Sequence, residues 1–374
     1  LIALYVHWPY CARICPYCDF NVVRDRGQAS QRAVYEAILT DLRNQAETIG
    51  PRRLASLFFG GGTPSLMPPE WVENLIAEAK RLFRPYTDQI EITLEANPTD
   101  AEIARYRAFR AAGVNRLSLG VQSLDDDALK FLGRNHSAAE AARGIETARQ
   151  VFGRVSLDLI YARPGQSPAT WRTELSRAAG LGVEHISPYQ LTVEPGTAFG
   201  RAVRRGQWRP VDDEAGEAFY FETQAVLESL GFEAYEVSNH ARGAAARSAH
   251  NVHVWRGVDY IGLGPGAHGR LTLGGVRHAT AALGDLRAYV ARVNAHGTGH
   301  DREAMTPLEA EEEAVLLGLR LSDGLDLARV PSLDLAAKAM PLIADGFLAL
   351  DHNHLRATPK GRVVLDRLLL ELLS

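Results

Sequence analysis

The chain has 374 residues, 46% hydrophobic and 23% charged, with a formal net charge of -4. That length supports a large core and two domains, and the slightly acidic balance supplies no basic field to recruit nucleic acid. No apolar run approaches the ~20 residues that span a bilayer, and the opening run is too short for a signal peptide.

Strand-like apolar runs at 2–7, 54–59, 90–95, 116–120, 155–160 and 185–191 alternate with helical patterns over 32–49, 71–83, 101–112, 125–132, 138–152 and 170–179. This alternation predicts parallel strands joined by crossover helices. Six units predict an α/β fold of the incomplete (β/α)6 barrel type, and the pattern fades after Leu191. Pro195 and Gly196 mark a loop. The expected division is a barrel over 1–205 and a smaller mixed α+β domain over 206–374. In the second part we expect a helix over 212–230, strands over 233–237 and 260–263, a hairpin over 270–277 and helices over 283–294 and 306–321. The tail reads helix 333–344, strand 347–351, strand 355–358, helix 359–373, which is winged-helix-like. Its last helix has no basic excess, so it reads as packing or partner contact rather than a nucleic-acid surface.

All three cysteines, Cys11, Cys15 and Cys18, fall in one C-x3-C-x2-C run after the first strand. A [4Fe–4S] cube has four irons to ligate, so three thiolates leave one iron open to chemistry. Structural zinc, with His7 or Asp19 as a fourth ligand, is the alternative; purely structural thiols are another. Disulfide stapling does not fit an odd count in a long chain. Free thiols point to a reducing compartment, hence cytoplasm.

In βα barrels the chemistry gathers where strands end. The second strand opens into Gly60, Gly61, Gly62 and Thr63. Bare glycines let backbone approach a ligand, although a tight turn explains them equally well in isolation. The third strand ends at Glu95, an acceptor for a ribose diol or an amine, unless it merely caps the next helix. Gln122 follows the fourth strand, with Arg134 beyond it; Asp158 lies on the fifth and Gln190 on the sixth. Polar residues gathered at one rim predict a pocket for a polar cofactor.

The cysteine run, with Tyr17 before its third cysteine, resembles that of radical S-adenosylmethionine (SAM) enzymes, over about the first 200 residues. The strings YVHWPYC, CPYCDF, GGGTPS, LEANP, SLGVQS, LGRNH and DLIYARPGQ are similar to those of the coproporphyrinogen dehydrogenase-like group. The resemblance implies a [4Fe–4S] cluster on Cys11, Cys15 and Cys18, and SAM bound by Tyr5, Tyr17, Gly61, Gly62, Thr63, Glu95, Gln122, Arg134 and Asp158. Gln190 and a residue near Ala267 are weaker transfers. It also implies reductive cleavage of SAM to methionine and a 5′-deoxyadenosyl radical, the cofactors supplying the radical chemistry. No residue is assigned a catalytic role of its own.

Within the group, the true dehydrogenases carry a further cysteine two residues after the third; here Cys18 is followed by Asp19 and Phe20. They also carry a longer amino-terminal segment, whereas this first strand begins at once. The run His250, Asn251, Val252, His253, Val254, Trp255 resembles the HNxxYW motif of HemW-type heme chaperones, with Val254 in place of Tyr. The resemblance implies heme contact through His250, Asn251 and Trp255, with His253 as a substitute ligand. A lone histidine is otherwise most simply a satisfied one. The glycines over 262–269 make a poor dinucleotide loop, since no clean helix follows. The expected function is a chaperone that holds a [4Fe–4S] cluster, SAM and heme. The alternative is oxygen-independent coproporphyrinogen III dehydrogenation. Expected partners are a heme-accepting protein, a membrane respiratory enzyme among the candidates, and an electron donor such as flavodoxin or ferredoxin. No nucleic acid and no transmembrane segment are expected; the location is cytoplasmic or peripheral at the membrane.

Overall fold

The computed structural model describes residues 1–25, 27–86 and 89–374. Strands β1 (Ile2–Trp8), β2 (Leu54–Gly61), β3 (Glu91–Ala96), β4 (Arg116–Gln122), β5 (Arg154–Tyr161) and β6 (His185–Gln190) lie side by side in that order. Each neighbouring pair is parallel, as the alternating pattern predicts. Helices α1 (Gln28–Ile49), α2 (Pro69–Leu82), α3 (Ala138–Val151) and α4 (Pro168–Ala179) make the crossovers. Their apolar stripes, with Ile38, Leu75, Ile145 and Trp171, share one core with Leu57, Leu94, Leu117 and Leu157 of the strands. Ser137 and Ser167 start α3 and α4 with capping boxes that satisfy the first free amides.

The sheet stays open. Among the described residues it has twelve strands. Two-residue strands, His240–Ala241 and Glu233–Ala234, continue it antiparallel beyond β6. At the other edge β7 (Tyr260–Leu263) pairs parallel with β1, and β8 (His268–Leu273), β9 (Val276–Ala282) and β10 (His300–Ala304) follow as an antiparallel meander. The hairpin turn between β8 and β9 is Gly274 and Gly275, both at positive φ. The pattern fades after Leu191 because the later strands are very short or join the distant β1 edge.

Helix α5 (Asp213–Ser229) packs on α4, where Trp171 Nε1 donates to Thr223 Oγ1 at 2.8 Å. Helix α6 (Ala249–Trp255), which periodicity does not reveal, links the β6 side to the β7 edge. After α7 (Leu286–His296), the tail builds a second core. Helices α8 (Pro307–Gly318) and α9 (Leu335–Ala344) pack there against β11 (Leu348–Asp351) and β12 (His354–Ala357). A third short strand, Leu325–Asp326, pairs with β12. The helix expected over 359–373 is two, α10 (Pro359–Val363) and α11 (Leu365–Leu373), because Val364 leaves helical geometry at φ -114° and ψ 24°. The helix expected over 101–112 is likewise split, into Asp100–Ile103 and Tyr106–Ala111. Among the described residues no helix is long and apolar enough to cross a membrane.

Candidate functional site

The site begins where β1 hands the chain to the cysteines. Gly62 donates its N–H to the carbonyl of Trp8 at 2.7 Å, and Thr63 donates to that of Tyr10 at 2.9 Å. The glycine loop after β2 is thereby stitched to the backbone leading into Cys11. Side chains are excluded there by contact. Gly61 has φ 103°, and a Cβ on it would meet His7 Nδ1 at 2.6 Å. A Cβ on Gly62 would meet the Tyr10 carbonyl at 2.7 Å and Cys11 Sγ at 3.0 Å.

Cys11 is buried and Cys15 and Cys18 are half-buried; all three are free thiols. Burial pushes the Cys11 thiol up to about 11, against a hydrogen bond from Thr63. Loading a metal there displaces a proton. His7 is not poised as a fourth ligand: Nε2 sits 2.8 Å from the Asn21 carbonyl and Nδ1 3.1 Å from the Tyr5 hydroxyl. Asp19 is exposed. Among the described residues no three His, Cys, Asp or Glu side chains gather as they would on one ion.

The three thiols border a cavity of about 970 Å³. Tyr17, Gly61, Gly62, Thr63, Glu95 and Gln122 also line it, as do Arg134, Asp158 and Gln190. Arg134 binds the parts together. Its guanidinium donates to Cys15 Sγ at 3.2 Å, to the Tyr17 hydroxyl at 3.4 Å, to the Gly120 carbonyl at 2.8 Å and to Asn97 Oδ1. Among the described residues, its Nε is buried without a partner. Gln122 ends β4 at φ 67°, beside an irregularity in the pairing with β5. Such breaks re-aim a side chain at a strand end.

Glu95 accepts the Gly61 N–H at 3.1 Å. Burial and then the neighbouring Asp158 push its carboxyl up to about 8. Burial likewise raises Asp158 to about 6, against hydrogen bonds from Ser187 and Ser118 and the charge of Arg116. The pair forms a half-buried wall able both to accept and to donate hydrogen bonds to an amine or a hydroxyl.

Two expected groups lie elsewhere. Tyr5 is not on the cavity wall; its ring stacks on Phe58 at 6.2 Å. Ala267, the weaker transfer, is buried. His250, Asn251 and Trp255 sit on α6, near the strands' amino-terminal ends. There His250 Nδ1 lies 3.1 Å from Ser56 Oγ, and its ring is 5.0 Å from that of Phe58. Ser56 is five residues before Gly61, about 16 Å along a strand. Burial lowers His250 to about 4. His253 Nδ1 reaches the same Ser56 hydroxyl at 3.4 Å.

Two partners at these sites are not evident from the sequence. Asn97, within the LEANP string, accepts a hydrogen bond from Arg134 on Oδ1; its place two residues past Glu95, just beyond the end of β3, was the available signal. Glu91 begins β3 and anchors α6, accepting the N–H groups of Ala249 at 3.0 Å and His250 at 2.9 Å. Arg154 pairs with it at 2.7 Å.

The family description "Radical SAM superfamily" matches residues 5–177, and "HemN C-terminal domain" matches residues 305–364. Mouse mitochondrial radical S-adenosyl methionine domain-containing protein 1 is 41% identical over 99% of this chain and 87% of its own length. Heme chaperone HemW of Mycobacterium tuberculosis is 35% identical over 99% of this chain and 94% of its own. The chain belongs to the radical SAM superfamily. Within it the chain is HemN-like, alongside HemW of Bacillus subtilis, which is 34% identical over 87% of this chain and 85% of its own. The structure of coproporphyrinogen III oxidase (HemN) from Escherichia coli shares the fold, with a TM-score of 0.82 over 99% of this chain and 89% of that one, at 22% identity. Membership implies a [4Fe–4S] cluster and SAM. The residues present fit both: three free thiols on one loop, a glycine cradle that a Cβ would fill, and an orphaned Arg134 Nε at the same wall.

Proposed function

We propose that this protein is a heme chaperone. In this reading Cys11, Cys15 and Cys18 hold a [4Fe–4S] cluster. Tyr17, Gly61, Gly62, Thr63, Glu95, Gln122, Arg134 and Asp158 hold SAM, with Tyr5 supporting that wall from below. The cluster supplies, when bound, an open iron and an electron for SAM cleavage. Arg134 orients the cysteine loop, and the Glu95–Asp158 wall receives polar groups.

The observation that carries the heme assignment is His250. Burial keeps its imidazole neutral. In the tautomer that donates from Nδ1 to Ser56 Oγ, one of the two that this contact allows, the Nε2 lone pair is left for iron. Glu91 fixes the amino end of the helix that bears it. Asn251 and Trp255 complete the motif on the same helix, and relatives named heme chaperones match most of the chain. The heme acceptor is a hemoprotein, a membrane respiratory enzyme among the candidates. An acidic flavodoxin or ferredoxin suits the basic face of Arg13, Lys130 and Arg201 beside Cys15 and Cys18. Phe20, exposed where the dehydrogenases carry a thiol, speaks against the dehydrogenase reading.

Hemin titration of the anaerobically reconstituted protein tests this. A saturable Soret change that is weakened in H250A supports it; no saturable change contradicts it.

A further inference from the structure

The wall of the large cavity continues past the SAM-facing residues onto Tyr189, Tyr220, Arg320, Arg362 and Val364. Arg320 follows α8 and Arg362 lies on α10, so both come from the carboxy-terminal part. Among the described residues, both Nε atoms are buried without a hydrogen-bond partner. The indole Nε1 of Trp255 is buried and unpaired as well, and the Arg320 guanidinium stands over that indole at 4.6 Å. Folded proteins pair nearly all buried donors, and each exception calls for a water, an ion or a ligand.

The protein's own carboxylates do not meet this demand. Glu236 is buried nearby, but its Oε1 takes the Ser238 N–H at 2.8 Å and the Asn239 amide at 2.5 Å. One carboxylate also faces two guanidiniums. Asp213, Glu217 and Asp366 line the same cavity but are exposed, where water and salt screen them.

We infer that Arg320 and Arg362 form a carboxylate subsite, and that the cavity takes a flat, largely apolar ligand with carboxylate arms, a tetrapyrrole of the heme class. The ligand's identity rests on the proposed function; the case for an anion rests on two guanidiniums on one cavity wall whose one buried carboxylate neighbour is already engaged. Guanidinium forks match carboxylates in bidentate geometry. Tyr189, Tyr220, Leu191 and Val364 offer aromatic and apolar surface for the ligand body. The cavity's 970 Å³ stands at the upper end of ordinary small-molecule sites, so SAM alone need not fill it. His250 does not line this cavity, so a tetrapyrrole held here lies apart from that imidazole; Arg320, which lines the cavity and stands over Trp255 of the helix bearing His250, is what lies between the two places.

The test titrates the reconstituted full chain with hemin, hemin dimethyl ester and coproporphyrin III, using wild type, R320Q and R362Q. The ester blocks the carboxylates and needs no variant, so it decides even if a variant misfolds. The subsite predicts that wild type binds hemin at least about tenfold tighter than the ester. Each Arg→Gln change weakens hemin about 10- to 100-fold, leaves the ester nearly unmoved, and is partly rescued by R362K at its position. Equal binding of hemin and ester by wild type, or wild-type hemin affinity in variants with unchanged melting, overturns it. Arginine-dependent coproporphyrin binding without hemin binding would sink the heme reading and keep the subsite. Binding of neither porphyrin would sink both.

Discussion

Arg134 donates from Nη1 to the Sγ of Cys15 at 3.2 Å, across 119 residues of sequence. The same guanidinium holds the Gly120 carbonyl at the end of β4. It therefore ties the cysteine loop to the strand rim on which a polar cofactor would rest. Replacement by methionine removes the fork and leaves acceptors buried without donors. R134M should bind SAM about 10- to 100-fold more weakly. R134K, which keeps the charge and loses the fork, should fall between. SAM titration followed by the electron paramagnetic resonance of the reduced cluster measures both.

Gly62 is fixed by its neighbours. An added methyl would press on the Tyr10 carbonyl at 2.7 Å and the Trp8 carbonyl at 2.8 Å, both rigid backbone. G62A should lose most of its reconstituted cluster and about 1–3 kcal/mol of stability. Gly153 meets nothing within 4 Å, so G153A should do neither. Iron content and thermal melting report the contrast.

Glu95 should make the cofactor-free protein less stable as pH rises. Its carboxyl is held at about 8 in the fold against an ordinary 4.5. Between those values the unfolded chain releases the proton and the folded chain keeps it, so stability falls through that window. E95Q keeps an acceptor for the Gly61 N–H and removes the titration. It should gain on the order of 2 kcal/mol at pH 8.5, after discounting for water at the cavity wall, and nothing at pH 4. Denaturant melts at the two pH values separate the cases.

Glu91 is a buried carboxylate held by Arg154, Arg116 and two amides of α6. These interactions hold its pKa below the ordinary value despite burial. Removing one member of such a network costs about 3–5 kcal/mol. E91A should show that loss in urea unfolding, and hemin binding should weaken with it because the helix bearing His250 loses its anchor.

Much of this was legible in the chain. The cysteine run, the glycines 60–62 and Glu95 stand at or beside strand ends and Asp158 lies within β5, and the period of the first half sets those strands side by side. Arg134 lies past a short helix and on no strand, and its place at the site follows from the resemblance carried by the LGRNH string. The remainder depends on long-range contact. Glu91 begins a strand like any other, and only the fold brings α6 to it. Helix α6 itself is one short stretch, too brief for periodicity, with the Ser248 cap as its one local sign. Arg320 and Arg362 look like surface arginines until the carboxy-terminal core sets them on the cavity wall. Tyr5 sits on the right strand, yet its hydroxyl turns to His7.

On the proposed function, the protein carries heme rather than making a heme precursor. One anaerobic preparation, given coproporphyrinogen III, SAM, a reductant and hemin, tests it by product analysis and absorbance together. A heme carrier should bind hemin stoichiometrically and form no vinyl-bearing porphyrinogen above a C15A control. SAM-dependent vinyl product with no retained hemin would contradict it.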